Sequence, residues 1–156
     1  MASPYEIQIA IADAIRAATT GAVVIPRNIL GELINGNYSM LQSPTDGNRI
    51  HGWFVSQSAD VMSKAFQGYA EYDAQFLVWQ IYEYQSGTDA DNSEKRFAAE
   101  RELVKVALSA SLAAPLDSID PPSFGDIGLF PKVAENRKAL HMARGAITAR
   151  GINTAC

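Results

Sequence analysis

The chain opens on a helical rhythm. Ile7, Ala10, Ile11, Ala14, Ile15 and Ala18 recur at three- and four-residue steps, which predicts one apolar stripe on a helix over Pro4–Ala18. Ser3 is placed to cap it, Pro4 suits the first helical position, and Glu6 follows Ser3 by three residues to complete a capping box. Thr19-Thr20-Gly21 stops the helix. Ala22-Val23-Val24-Ile25, short, β-branched and closed by Pro26, then predicts a strand.

From Arg27 to Arg49 the rhythm breaks. Gly31, Asn35, Gly36, Asn37, Pro44, Asp46, Gly47 and Asn48 leave little room for regular structure. Leu30, Leu33, Ile34, Tyr38, Met40 and Leu41 are scattered among them, so this is no plain solvated linker. A loop of this length is unusual in a compact domain. The expectation is a segment ordered against a partner, with a small local hairpin as the alternative.

Alternation takes over next. His51–Gln57 predicts a strand with Trp53 and Val55 on one face, while Ser58–Phe66 reads equally as a helical turn or an extended segment. The strongest β signal is Gln75–Tyr84. Leu77, Trp79 and Ile81 fall on one face and Phe76, Val78, Tyr82 and Tyr84 on the other, interrupted by Gln80. Apolar residues on both faces predict a central strand covered twice, by a helix and by a neighbouring subunit.

Gln85–Asn92 is a polar turn from which Asp91, Asn92 or Ser93 can cap a second helix, with Glu94 three residues after Asp91. That helix, Ser93–Leu112, carries Phe97, Val104, Leu108 and Leu112 as its buried stripe and Lys95, Glu102 and Lys105 opposite. Pro115 marks its end. The stretch 113–138, with Pro121, Pro122, Gly125, Gly128 and Pro131, reads as a long connection. Ala139–Ala149 predicts a closing strand with Leu140 and Met142 on one face and His141, Ala143 and Ile147 on the other, a short helix being the alternative.

The order of elements predicts an α+β fold: one domain over residues 1–156, mainly antiparallel, with its sheet flanked by an N-terminal and a central helix. Long loops fall at 27–49 and 113–138. The apolar second face of the central strand asks for cover. Phe76, Val78, Trp79, Tyr82 and Tyr84, with Leu33 and Tyr38 from the first loop, are therefore the candidate subunit-interface residues.

Composition narrows the function classes. The 156 residues are 47% hydrophobic and 19% charged, a globular and not a disordered composition. Thirteen Lys and Arg against seventeen Asp and Glu give a net charge of -4, which speaks against a strongly basic nucleic-acid binder. No apolar run approaches the ~18 residues of a membrane helix, and Met1-Ala2-Ser3-Pro4 lacks the pattern of a signal peptide.

Candidate chemistry is sparse. Neither His51 nor His141 has a cysteine or carboxylate at metal-ligand spacing, and both read as structural or surface residues. Cys156 alone permits no internal disulfide, and at the last position it has no positioned base to make it a nucleophile. Gly-rich phosphate loops and a nucleophile elbow are absent. Gly145, isolated between Arg144 and Ala146, marks a bulge or a close approach. Asp89, Asp91 and Glu94 suit a helix start better than a divalent metal. Arg137, Lys138, Arg144 and Arg150 make the last quarter basic, but without the interleaved aromatics of a single-strand reader. The expectation is no catalytic site, no metal and no cofactor.

The order of elements resembles the tail-terminator and related neck proteins of long-tailed bacteriophages. The matching pieces are the helix Pro4–Ala18, the strand Ala22–Ile25, Gly52-Trp53-Phe54-Val55 after a long loop, the run Tyr72–Tyr84, the helix Ser93–Leu112 and the late strand Leu140–Ile147. The resemblance implies a structural virion subunit in a ring, usually of six copies, stacked between the neck and the tail tube. Its partners would be itself, the tail tube protein and neck or connector proteins, with genomic DNA passing through the lumen. An acidic lumen would repel a duplex carrying about one charge per 1.7 Å of axis. A connector ring nearer the portal is the alternative in the same setting, and a small oligomeric enzyme or ligand-binding protein is the rival from another class. The loop 27–49 and the stretch 113–138 exceed the short family form.

Overall fold

Ile7, Ile11, Ala12 and Ile15 of the first helix are buried in the computed structural model, which describes residues 4–66, 69–84, 90–111, 118–119, 122–130 and 139–155. Helix α1 (Pro4–Ala18) follows the expected rhythm, although Ala10 is exposed and Ala12 takes a core position. Ser3 lies outside the described residues. Strand β1 (Val23–Ile25) follows, then the segment expected to await a partner.

That segment is folded against its own subunit. It contains α2 (Leu30–Ile34), a 3-10 turn (Ser39–Leu41) and β2 (Gln42–Ser43), ahead of the long strand β3 (Arg49–Phe66). Its scattered apolar residues explain the correction. Ile29, Leu33, Tyr38 and Leu41 pack on Ile50, Phe54, Ile81 and Leu140, so the loop is a lid over one end of the second sheet face. A turn with positive φ at Gly47 and Asn48 leads from β2 into β3.

Strand β4 (Tyr69–Glu83) pairs antiparallel with β3 along nearly its whole length, so Ser58–Phe66 is strand and not a helical turn. Helix α3 (Ala90–Ser111) comes next and buries Phe97, Val104 and Leu108 as expected; Leu112 lies outside the described residues. The stretch 113–138 is more than a connection, since it holds β5 (Ser118–Ile119) and β6 (Ser123–Phe130). The closing strand β7 runs over Leu140–Ala155, beyond the expected end at Ala149.

The fold is α+β. Among the described residues, three helices accompany a seven-stranded sheet of order β1-β3-β4-β7-β5, with β2 beside β3 and β6 beside β7. Among the described residues only the β1–β3 ladder is parallel. On one face, Ile7, Ile11 and Ile15 of α1 and Val104 and Leu108 of α3 pack on Trp53, Val55, Phe76, Val78 and Ile147. Burying each such side chain is worth about 1.5–3 kcal/mol before chain entropy is counted.

The β1 ladder ends for a local reason. Pro26 has no N–H to continue it, and the Gln8 side-chain amide takes over, donating to the Pro26 carbonyl at 3.0 Å and the Val55 carbonyl at 2.7 Å. Beyond this point β3 outruns its cover. Its 18 residues span about 60 Å against about 22 Å for the 15 residues of α1. From Ala59 to Phe66 its outer edge has no partner strand among the described residues, and neither does that of β7 beyond Arg150. Bulges at Gln57/Ala59 and Met62/Lys64 twist this ribbon of β3, β4 and β7.

Two glycines are required by close approach. A Cβ on Gly52 would lie 2.5 Å from Leu41 Cδ2 and 2.8 Å from the Val23 carbonyl oxygen. One on Gly145 would lie 2.8 Å from the Phe124 ring, so the close-approach reading of Gly145 holds.

Candidate functional site

The polar heart of the subunit is a cluster joining the turn before β3 to β3 itself and to α3. His51 is 3% exposed, and its Nε2 meets Glu100 Oε2 at 2.5 Å. The other Glu100 oxygen accepts the Trp53 indole N–H at 2.6 Å. Alternation on β3 directs His51 and Trp53 to the same face, and the α3 repeat brings Glu100 over both. On the far side of the imidazole, Nδ1 lies 3.1 Å from Asp46 Oδ2, within ion-pair reach but not aligned as a hydrogen bond. Asp46 also has Arg96 at 3.5 Å and Arg49 at 3.9 Å.

Tyr82 completes this cluster. Its ring meets His51 edge-on at 5.1 Å, and the Arg96 guanidinium sits over it at 5.4 Å. Burial raises the Tyr82 phenol above its ordinary 10.0, with Arg96 acting in the opposite direction.

A second pair lies along the sheet. Ser93 Oγ is 3.0 Å from His141 Nε2, and both residues are buried. The His141 ring stacks on Phe97 at 5.1 Å and tilts towards Tyr84 at 5.5 Å. Desolvation holds its pKa below 6.5, against a smaller upward pull from Glu94. A serine beside a histidine is the hardware of a nucleophile and its base. Here the Ser93 hydroxyl is fully buried and cannot reach a substrate, so the pair holds the start of α3 to β7. Since α3 begins at Ala90, Ser93 lies inside its first turn and not at the cap. No group of three His, Cys, Asp or Glu among the described residues could hold a metal ion.

The candidate interface residues are placed otherwise than expected. Phe76 and Val78 face α1 and α3 and are fully buried, Tyr82 is 2% exposed, and Leu33 and Tyr38 belong to the lid. All five are buried within their own subunit. Trp79 is half-buried, stacked on Phe54 at 5.5 Å with Arg144 over its other side at 5.7 Å. Tyr84 is half-buried beside His141. The lid covers the Ile81 end of the second face, whereas Gln75, Arg144 and Ala146 at the other end are exposed. Among the described residues, the large apolar side chains on the outside are Leu103 (59%) and Val106 (69%) on α3, Tyr5 on α1 and Ile127 on β6.

Asp46, Glu100 and Ser93 escaped the sequence reading as partners of the histidines. For Glu100 a signal exists: it falls between Phe97 and Val104, on the stripe that faces the core. A carboxylate there needs a buried partner. Asp89 and the side chains of Asp91, Arg137, Lys138, Arg150 and Cys156 lie outside the described residues.

No protein-family model matches the chain, and no curated protein matches it. Among solved structures, it is similar to a chain of the virion of the native gene transfer agent particle. That likeness has 17% identity and a TM-score of 0.41, covering 92% of this chain and 94% of that one. At that score the likeness carries no argument about function.

Proposed function

We propose that this protein is a structural virion subunit that assembles into a ring at the neck or tail end of a long-tailed phage. In this reading it terminates the tail tube and joins it to the head. The observation that carries the reading is the β3–β4–β7 ribbon, long for its helices and, among the described residues, with no partner strand on its outer edges at Ala59–Phe66 and beyond Arg150. Such edges present rows of backbone donors and acceptors to another chain. Two different edges in one subunit suit a heterologous contact, which closes into a ring when the rotation allows. The exposed Leu103 and Val106 add an apolar strip to the surface available for assembly. The order of elements noted in the sequence supports the same reading.

The assembly would comprise itself, in six copies by the resemblance, with the tail tube protein on one side and neck or connector proteins on the other. DNA would cross the lumen without sequence-specific contacts. The reading gives the chain no catalytic role, cofactor or metal. It is supported there by the way the cluster consumes its own chemistry: both His51 nitrogens face carboxylates, and Ser93 is sealed.

Negative-stain images and sedimentation of the purified chain test the proposal. The expected result is a ring with a pore of about 20 Å, wide enough for duplex DNA, together with the protein's presence in purified virions. A strict monomer at high concentration, absent from virions, would overturn it.

A further inference from the structure

We propose that the pocket where α3 meets β4, β6 and β7 binds a carboxylate carried on a flat apolar body, with Arg101 holding the charge. The pocket is about 270 Å³, near the lower end of ligand sites and suited to one ring with a short arm. Phe97, His141 and Tyr84 give it an aromatic wall, and Ile127, 53% exposed, forms its lip. Arg101 and Glu94 stand at opposite ends of the part lined by α3.

Arg101 is the reason to expect an anion. Its guanidinium lies over the Phe97 ring at 5.0 Å, and its one hydrogen bond among the described residues is a long 3.5 Å contact to Gln80 Oε1. Gln80 can offer no more, because its amide is fixed by donating to the Phe97 carbonyl at 2.7 Å. No carboxylate lies within ion-pair distance of Arg101 among the described residues. Half-burial already works against its charge, lowering its pKa from the ordinary value of an arginine, while Glu102 acts in the opposite sense. A planar fork of five donors, partly desolvated and holding one weak bond, is complementary to a carboxylate. The aromatic wall supplies the place for a flat body.

Glu94 sets the orientation. It lies seven residues from Arg101 on the same helix, two turns or about 10 Å away. A carboxylate is therefore drawn to the Arg101 end and repelled from the other. The occupant is a free aromatic acid, since no protein side chain carries a carboxylate on a flat apolar body. The site is independent of the ring reading.

Benzoate is the probe, with benzyl alcohol as its uncharged counterpart. Both are titrated into the full chain while the His141 and Phe97 signals are followed by nuclear magnetic resonance. The expected result is saturable binding of benzoate, roughly tenfold tighter than benzyl alcohol. Arg101→Gln should abolish the preference, Arg101→Lys should weaken it several-fold, and Glu94→Gln should tighten benzoate about two- to fivefold. Equal response to the two probes, or an Arg101→Gln protein that titrates like the parent, would overturn the site. If Arg101→Gln fails to fold, Glu94→Gln decides: unchanged or weaker benzoate binding would sink the proposal.

Discussion

Glu100 and His51 meet at 2.5 Å across the boundary between helix and sheet, and the same carboxylate also holds Trp53. Through His51 the contact continues to Asp46, so the turn before β3, the strand and α3 are tied by one imidazole between two carboxylates. Glu100→Ala leaves a buried imidazole and a buried indole N–H without their partner. The expected loss is about 2–4 kcal/mol in urea denaturation. In a cycle with His51→Ala the two losses should be clearly less than additive; full additivity would deny the coupling.

Gly145→Ala tests the contact of Phe124 with the sheet. The new methyl would press on the ring, which meets Trp53 edge-on at 6.1 Å. Unfolding measurements should show a loss of about 1–3 kcal/mol. Gly125→Ala meets nothing within 4 Å and serves as the control, expected within about 0.5 kcal/mol of the parent.

Acid should weaken the subunit through His141. Burial holds its folded pKa below 6.5, so between the folded value and 6.5 the unfolded chain binds the additional proton. Stability therefore rises with pH in that window. The contribution is complete above 6.5 and is lost as pH falls through the folded value. Urea midpoints compared at about pH 7.5 and about pH 5.5 should fall less on acidification in His141→Gln than in the parent. An identical fall in both would assign the pH dependence elsewhere.

Substitutions on opposite sides of the helix layer should separate folding from assembly. Leu103→Glu and Val106→Glu alter exposed positions on α3, and each should leave the unfolding midpoint within about 0.5 kcal/mol of the parent. Sedimentation should show less association in both. Tyr82→Asp places a charge where the side chain is 2% exposed and should unfold the subunit outright. Unaltered association in both surface variants would remove α3 from the assembly surface.

Periodicity revealed α1, α3 and the two-faced central strand, but not α2, because Ile7, Ile11 and Ile15, or Phe76 and Val78, signal within a short window. The cover of the second face was not legible. Leu33, Tyr38 and Leu41 are spaced irregularly, and only their meeting with Phe54 and Ile81 shows them as a lid. Strand length was hidden too, since the alternation in Ser58–Phe66 breaks at Val61-Met62, and the segment is extended through pairing with β4. The histidine clusters depend on partners nearly fifty residues apart, |i−j| = 49 for His51 and Glu100, a distance over which local pattern carries no information.

The pairing of β4 with β7 has a consequence for synthesis. Glu83 is joined to Leu140 and Tyr69 to Ala155, so the inner edge of β4 stays open while α3, β5 and β6 are still being made. Until β7 is available, the nascent chain holds a β3–β4 hairpin with a long, aromatic-rich edge. Two such chains on neighbouring ribosomes could pair with one another in place of β7. This high contact order predicts slow folding and a need for protection during translation.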